Sequence, residues 1–429
     1  MFGFANFLLL ALFAAAVFDL IFALARGGGL RGALHGLWNT PHLLFGQQPA
    51  EWRLQLGRIL FAAGLAAYEI SVVFCNSMAR QNWAWVQGVM SPVLEWLAFL
   101  CFGAKILFGT RYTWRELLAG GALYFIARWV YFNSQNIWWI GIVVAVLAAK
   151  DVPLRRPLQV YFASGCAAMA VVLALHFSGI VAPDLTSERM GALRGTYGYG
   201  HPNTFGGLVF GLVLAYALLR AQKVRWVDCL LVFAVGAFLL VGPASRSAAL
   251  CTLALAVGLV FCRLRAGHNV PRWWPGTCAG MVGLTAAVSY LLPLLVIKVG
   301  PWNNDIGPAW LAKLDSLLTC RISLTWMAYR LLDVKIAGQV FNWPTVDNSF
   351  AFALFQFGPV VAALLGILFA ASLWGHAKQG RRVEVCCLFA MLAYAYMEVQ
   401  PFHLTTNPTA LLLCGAVFAQ TSARWQKIE

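Results

Sequence analysis

Apolar residues run in blocks of about twenty from one end of the chain to the other, with short polar stretches between them. A helix needs ~20 such residues to cross the hydrocarbon core of a bilayer. The pattern therefore predicts a single all-α, polytopic membrane domain over residues 1–429. Its thirteen spans (twelve to fourteen with boundary error) fall at 4–25, 57–78, 84–107, 115–132, 136–149, 158–182, 203–220, 227–244, 247–262, 276–298, 348–374, 383–398 and 408–422. The first, "FANFLLLALFAAAVFDLIFALA", lacks a positive flank and is too long for a secretory leader, so it reads as a retained span. Neither an internal repeat nor a low-complexity linker interrupts the series.

Composition agrees with this pattern. Hydrophobic residues make up 61% of the chain and charged residues 11%, against ~25% charged in a soluble domain. The formal net charge of +15 would suggest nucleic acid if it were evenly spread. It is not. With thirteen spans, the loops alternate sides, and one side collects 21 of the 31 Lys and Arg. The positive-inside rule makes that side cytoplasmic, with the amino terminus outside and the carboxyl terminus inside. The charge is a topology signal, and nucleic acid is excluded as a partner. The eleven cysteines show no Cys-x-x-Cys pairing and read as small buried hydrophobes.

Two outer loops break the apolar monotony: 183–202, "PDLTSERMGALRGTYGYGHP", and the longer 299–347. Within the second, "LDSLLTCRISLTWMAYRLL" has helical apolar spacing, which predicts one amphipathic helix on the outer face. Three spans that run inward open on polar motifs: His201-Pro202-Asn203-Thr204, Ser245-Arg246-Ser247 and Asp347-Asn348-Ser349. Helix starts offer free N–H groups and a partial positive charge to an anion. Arg194, Arg246 and Arg321 share that side, and guanidinium forks match phosphate geometry. Glycines 195, 198 and 200 allow close backbone approach, and Tyr199 stands among them as a further ligand contact.

Each of these residues has a plainer reading as well. Asn203, Ser245 and Asn348 singly read as helix caps, His201 as a satisfied loop histidine, and Arg321 as a side chain snorkelling to headgroups. Trp83, Trp85, Trp138, Trp139, Trp302 and Trp343 read as an interfacial belt. Arg194 and Arg246 resist such readings because outward arginines run against the orientation rule. Inside the spans lie Asp19, Glu69, Glu95 and Arg128. They mark either a transport pathway or a Glu–Arg pair joining spans 2 to 4.

"LRGTYGYGHPNTFGG", followed one span later by "SRSA" and then by "LLTCRISLTWMAYRLL…IAGQ…VDNSFAFALFQFG", resembles the Wzy-type polysaccharide polymerases of capsule, exopolysaccharide and O-antigen synthesis, related to the O-antigen ligases. The resemblance covers roughly 190–360. It implies a GT-C-like glycosyltransferase in the bacterial cytoplasmic membrane, joining undecaprenyl-pyrophosphate-linked oligosaccharides at its outer face with release of undecaprenyl pyrophosphate. A flippase and chain-length regulator proteins are the implied protein partners. Related ligases carry a His-Asn pair at the start of a late span; here Asp347-Asn348 stands in that place. The resemblance thus leaves two candidates for the general base, Asp347 and His201. Arg194, Arg246 and Arg321 are expected to bind the pyrophosphate, Tyr199, Asn203 and Asn348 to contact substrate, and Arg246 to act in catalysis. With no Asp-x-Asp on the outer side, no metal and no cofactor are expected. The alternatives are a ligase-like transferase to another acceptor and a polysaccharide flippase or transporter.

Overall fold

The computed structural model describes residues 2–26, 29–45, 51–181, 187–189, 192–297 and 307–418. Trp302 and the basic tail "RWQK" lie outside them. The chain is helical almost throughout. Among the described residues, eight helices are long and apolar enough to cross a membrane. They are Asn6–Ala25, Glu51–Cys75, Val86–Phe108, Arg155–Phe177, Pro202–Leu219, Arg246–Leu264, Trp274–Leu295 and Pro359–Lys378. Outward faces such as Val227, Leu230, Phe233 and Val241 of the Trp226–Val241 helix stand exposed with no protein against them, as lipid-facing residues do. This is a multi-pass membrane protein.

The other five predicted spans fall on helices that are shorter, more charged or irregular. Ile137–Ala148 has only twelve residues, about 18 Å of rise, and from Trp139 to Ala148 every residue is buried. A helix apolar on all sides belongs in the middle of a bundle. Trp139, 1% exposed, is accordingly a core residue and not part of an interfacial belt. The Asn136 side chain starts this helix by accepting from the N–H groups of Trp138 and Trp139. Thr113 and Glu116 form a reciprocal capping box at the start of Trp114–Ser134.

The predicted span 348–374 is interrupted. Ser349–Phe352 passes into a π-helical turn, Ala353–Phe357, and the long Pro359–Lys378 helix starts afresh after Gly358 at φ +88. A Cβ on Gly358 would stand 2.1 Å from the Ile336 carbonyl oxygen. Only glycine admits both that backbone conformation and that approach. The final predicted span is likewise a 3₁₀ segment, Pro408–Leu413, with one turn of α-helix after it.

Helix pairs build the bundle: Glu51–Cys75 on Ser91–Phe108, Trp226–Val241 on Arg246–Leu264, and Trp274–Leu291 on Pro359–Lys378. The ionisable groups inside the spans are distributed differently from the expected Glu–Arg pair. Arg128 donates to Asn6 and lies over the Phe132 ring. Asp19 faces His42 at 3.4 Å, and Glu69 is buried against Gly165.

Candidate functional site

Ser187–Arg189 pairs antiparallel with Ala192–Arg194, and a glycine-rich turn then leads into the Pro202–Leu219 helix. His201 ends that turn in extended conformation, and its Nδ1 accepts from the Asn203 N–H at 3.1 Å. The histidine, not the asparagine, is therefore the cap. Asn203 is left free to bridge: its Oδ1 accepts from Arg194 Nη2 at 3.0 Å and its Nδ2 donates to Glu398 Oε1 at 3.0 Å.

Glu398 is the hub. It directly follows the Arg382–Met397 helix, in extended conformation, and is 5% exposed. One carboxylate oxygen, Oε1, accepts from Arg321 Nη2 at 2.6 Å, from Ser247 Oγ at 2.8 Å and from Asn203 Nδ2 at 3.0 Å. Its other oxygen takes no hydrogen bond from the described residues. Burial pushes the carboxyl above its usual range; the Asp347 charge adds to that, while Arg321 and Ser247 offset part of it. The Asp347 carboxylate, 30% exposed, lies 3.9 Å from Arg321 Nη2.

Arg321 reaches this point because the expected single amphipathic helix is two. Ala309–Leu317 and Arg321–Leu331 are separated by Thr319 and Cys320, both at positive φ. The buried Asp315 carboxylate accepts from the Ile322 and Ser323 N–H groups at 2.8 and 3.1 Å and so caps the second helix from a distance. Arg321 is its first residue and is 7% exposed. It donates to the Met397 and Leu318 carbonyls as well as to Glu398. It does not snorkel.

Arg194 is also buried, and its donors serve the protein. Nη2 reaches the Ala244 carbonyl at 3.2 Å as well as Asn203, and Nε reaches the Pro243 carbonyl at 3.4 Å. It clamps the turn that launches the Arg246–Leu264 helix, a turn in which Ala244 holds φ 49. Arg246 is the contrast. It is exposed at the first position of that helix, and its guanidinium has no hydrogen-bond or ion-pair partner among the described residues. Its neighbour Ser247 touches Glu398 directly.

No family model, no curated protein and no solved structure matches the chain. Its chemistry is read from the arrangement alone. His201, Asn203, Arg194, Arg246, Arg321 and Asp347 are brought to one end of the bundle around Glu398, through direct contacts or through a chain neighbour. Two expected contacts are not free for a ligand. Tyr199 is wholly buried, its ring 5.8 Å from Phe205. Asn348 is a cap whose Oδ1 accepts from Phe350 and Ala351 N–H and whose Nδ2 donates to Ser289 Oγ and the Tyr396 carbonyl.

Glu398 itself escapes a reading by spans, because it falls on the last position of the 383–398 block and looks like a span end. The signal was the polar stretch after it, "EVQPFHLTTNPT", unusual in so apolar a chain. Gln400 from that stretch accepts from the Tyr394 hydroxyl at 2.7 Å and donates to the Asn203 carbonyl at 3.2 Å. It ties the segment to the helix that His201 caps. His403 packs on Trp138 with ring centroids 3.8 Å apart, and burial lowers its pKa to about 4, so it is neutral at neutral pH.

The arrangement combines a buried carboxylate with one uncommitted oxygen, an arginine locked against it, an exposed arginine and two helix amino termini. It can hold a dianionic group at Arg246 and take a proton at Glu398.

Proposed function

We propose that the chain is a glycosyltransferase that polymerises undecaprenyl-pyrophosphate-linked oligosaccharide repeat units at the outer face of the bacterial cytoplasmic membrane. What supports this reading is one observation: residues distant in sequence, Arg194, Asn203, Ser247, Arg321, Asp347 and Glu398, form one connected polar network at the end of a membrane bundle, with Arg246 free at its edge. Polyprenyl pyrophosphate is a good leaving group once its developing charge is neutralised. A fixed cation in a partly dry site does this, and a single such donor is typically worth 10²–10³ in rate.

In this mechanism Arg246 and the start of its helix receive the pyrophosphate of the growing chain. The acceptor hydroxyl of the incoming unit gives its proton to Glu398, whose carboxyl burial makes more basic than an ordinary one. Asp347 stands at the mouth of the network as an auxiliary carboxylate. The oxygen attacks the anomeric carbon, the bond to the pyrophosphate breaks, and undecaprenyl pyrophosphate departs with the electron pair. Arg194 and Arg321 act as positioning residues. The reaction needs no metal in this scheme, because Arg246 and the start of its helix supply the positive charge.

The test is direct. Purified protein given a lipid-linked repeat unit in excess chelator is expected to release undecaprenyl pyrophosphate and build a ladder of products. A single added block would mean the ligase-like transferase instead. The interrupted helix at Gly358 favours a transporter as second reading, since broken helices mark many transport sites. Movement of the lipid-linked unit across a vesicle without release of pyrophosphate would establish it and overturn the polymerase.

A further inference from the structure

The opposite end of the bundle holds a second concave, charged region that the glycosyl-transfer scheme does not use. It lies at the start of the Arg382–Met397 helix, about 24 Å of helical rise from Glu398. Two adjoining cavities of about 140 and 380 Å³ share Gln222, Lys223, Arg381 and Glu384 in their walls. Arg155 and Arg220 line the smaller, Arg263 and Arg382 the larger.

The cations there fall into two groups. Arg220 is bound to Asp228 at 3.1 Å, and Arg382 donates to the carbonyls of Arg265 and His268; both hold the fold together. Arg155, Lys223, Arg263 and Arg381 make no side-chain hydrogen bond and no ion pair among the described residues. Four such cations gathered on concave walls are more than a topology signal, which requires only that basic residues lie somewhere in the loops. Like charges held close together repel one another, and Glu384, the carboxylate in both walls and close to Arg381, offsets only one of the four. The smaller cavity also has an apolar wall of Leu154, Leu158, Leu218, Leu219 and Leu412. A site basic at its rim and aliphatic behind it fits an amphiphile better than a free ion.

We infer that these cavities bind the phosphate headgroup of an anionic phospholipid, held by Arg155, Lys223 and Arg381, with the start of its acyl chains on the leucine wall. The two cavities meet at Lys223 and Arg381, so a phosphate held there has the leucine wall on one side and, on the other, room for on the order of ten waters, enough for its glycerol. Basic pockets between transmembrane helices bind lipid headgroups in this way. The inference is independent of the reaction proposed at the other end.

The experiment uses the full chain in nanodiscs of phosphatidylcholine with and without phosphatidylglycerol. Bound lipid is counted by native mass spectrometry, and the unfolding midpoint is recorded. The unaltered protein is expected to retain phosphatidylglycerol and to unfold at a higher temperature in its presence. Arg155→Gln combined with Arg381→Gln should weaken that retention about 30-fold, taking ~1 kcal/mol for each cation near the headgroup. Arg156→Gln combined with Arg272→Gln removes the same charge from exposed positions outside the cavity walls and should leave retention unchanged. Equal losses in both double variants would mean diffuse attraction and overturn the site. Stabilisation by inorganic phosphate alone, equal to that by the lipid, would overturn the lipid as its occupant.

Discussion

Two polar clusters occupy opposite ends of the bundle, and each sets three cations against two carboxylates. At one end are Lys105, Lys150 and Arg111 with Glu116 and Asp151; at the other, Arg194, Arg246 and Arg321 with Glu398 and Asp347. Their inventory of basic and acidic side chains is the same, but their state is not. Lys105 is 1% exposed and donates to Thr110 Oγ1 and the Lys150 carbonyl. Lys150 lies 3.3 Å from Glu116 and 3.6 Å from Asp151, and it donates to the Arg111 carbonyl. Arg111 completes the group at 4.0 Å from Asp151. Every cation is engaged, and the cluster joins helix ends. Around Glu398 the network is just as tight at its centre, yet Arg246 and one Glu398 oxygen are left over. A count of charges does not separate a staple from a reactive site. Groups left without a partner at an accessible edge do.

The largest expected effect comes from removing the centre of each cluster. Glu398→Ala leaves the buried Arg321 only the more exposed Asp347 at 3.9 Å, and Lys150→Ala leaves Glu116 without its ion-pair partner. Each should lower unfolding stability in detergent by about 3–5 kcal/mol. Turnover per folded molecule should vanish in the first and persist in the second; the reverse result would dissolve the distinction. Next comes Arg246→Ala, which should cut the rate of pyrophosphate release about 10²–10³-fold while the unfolding midpoint stays put, since no protein group loses a partner.

The smallest effect is a shift in pH dependence. Glu398 accepts a proton only when ionised, and burial raises its pKa. Activity should therefore fall, as pH drops, at a higher pH than the ordinary carboxylate value of about 4. Asp347 contributes to that elevation, so Asp347→Asn should move the acid limb to lower pH and leave the plateau rate largely intact. Loss of the plateau instead would make Asp347 the base.

The bilayer-spanning pattern was legible because apolar blocks of fixed length have few other uses. The short Ile137–Ala148 helix was also visible, but its central position was not, since a buried helix and a lipid-facing one look alike in composition. At the candidate site, Arg194 and Arg246 stood out because arginines on the side read as outer run against the positive-inside rule, and Asp347 stood out through the resemblance. The roles of Arg194 and Asn203 were hidden: donor and acceptor inventories show what a side chain can bond, not which neighbour the fold supplies. Glu398 was missed because a lone acid at the end of a span resembles a boundary residue. The two-helix form of 309–331 depended on Asp315 reaching across seven residues to cap Ile322, a contact that helical periodicity does not encode.

The order of the network along the chain has a consequence for biogenesis. Arg194 and Arg321 both precede Glu398, so a ribosome delivers two cations before the carboxylate that joins them, directly for Arg321 and through Asn203 for Arg194. At ~5–20 residues per second, the wait from the last arginine to the glutamate is on the order of ten seconds. During that interval the nascent bundle holds its arginines against water or headgroups, and the site closes only when the segment after Met397 threads in. Assembly of this centre thus follows the synthesis of the helices that carry its arginines.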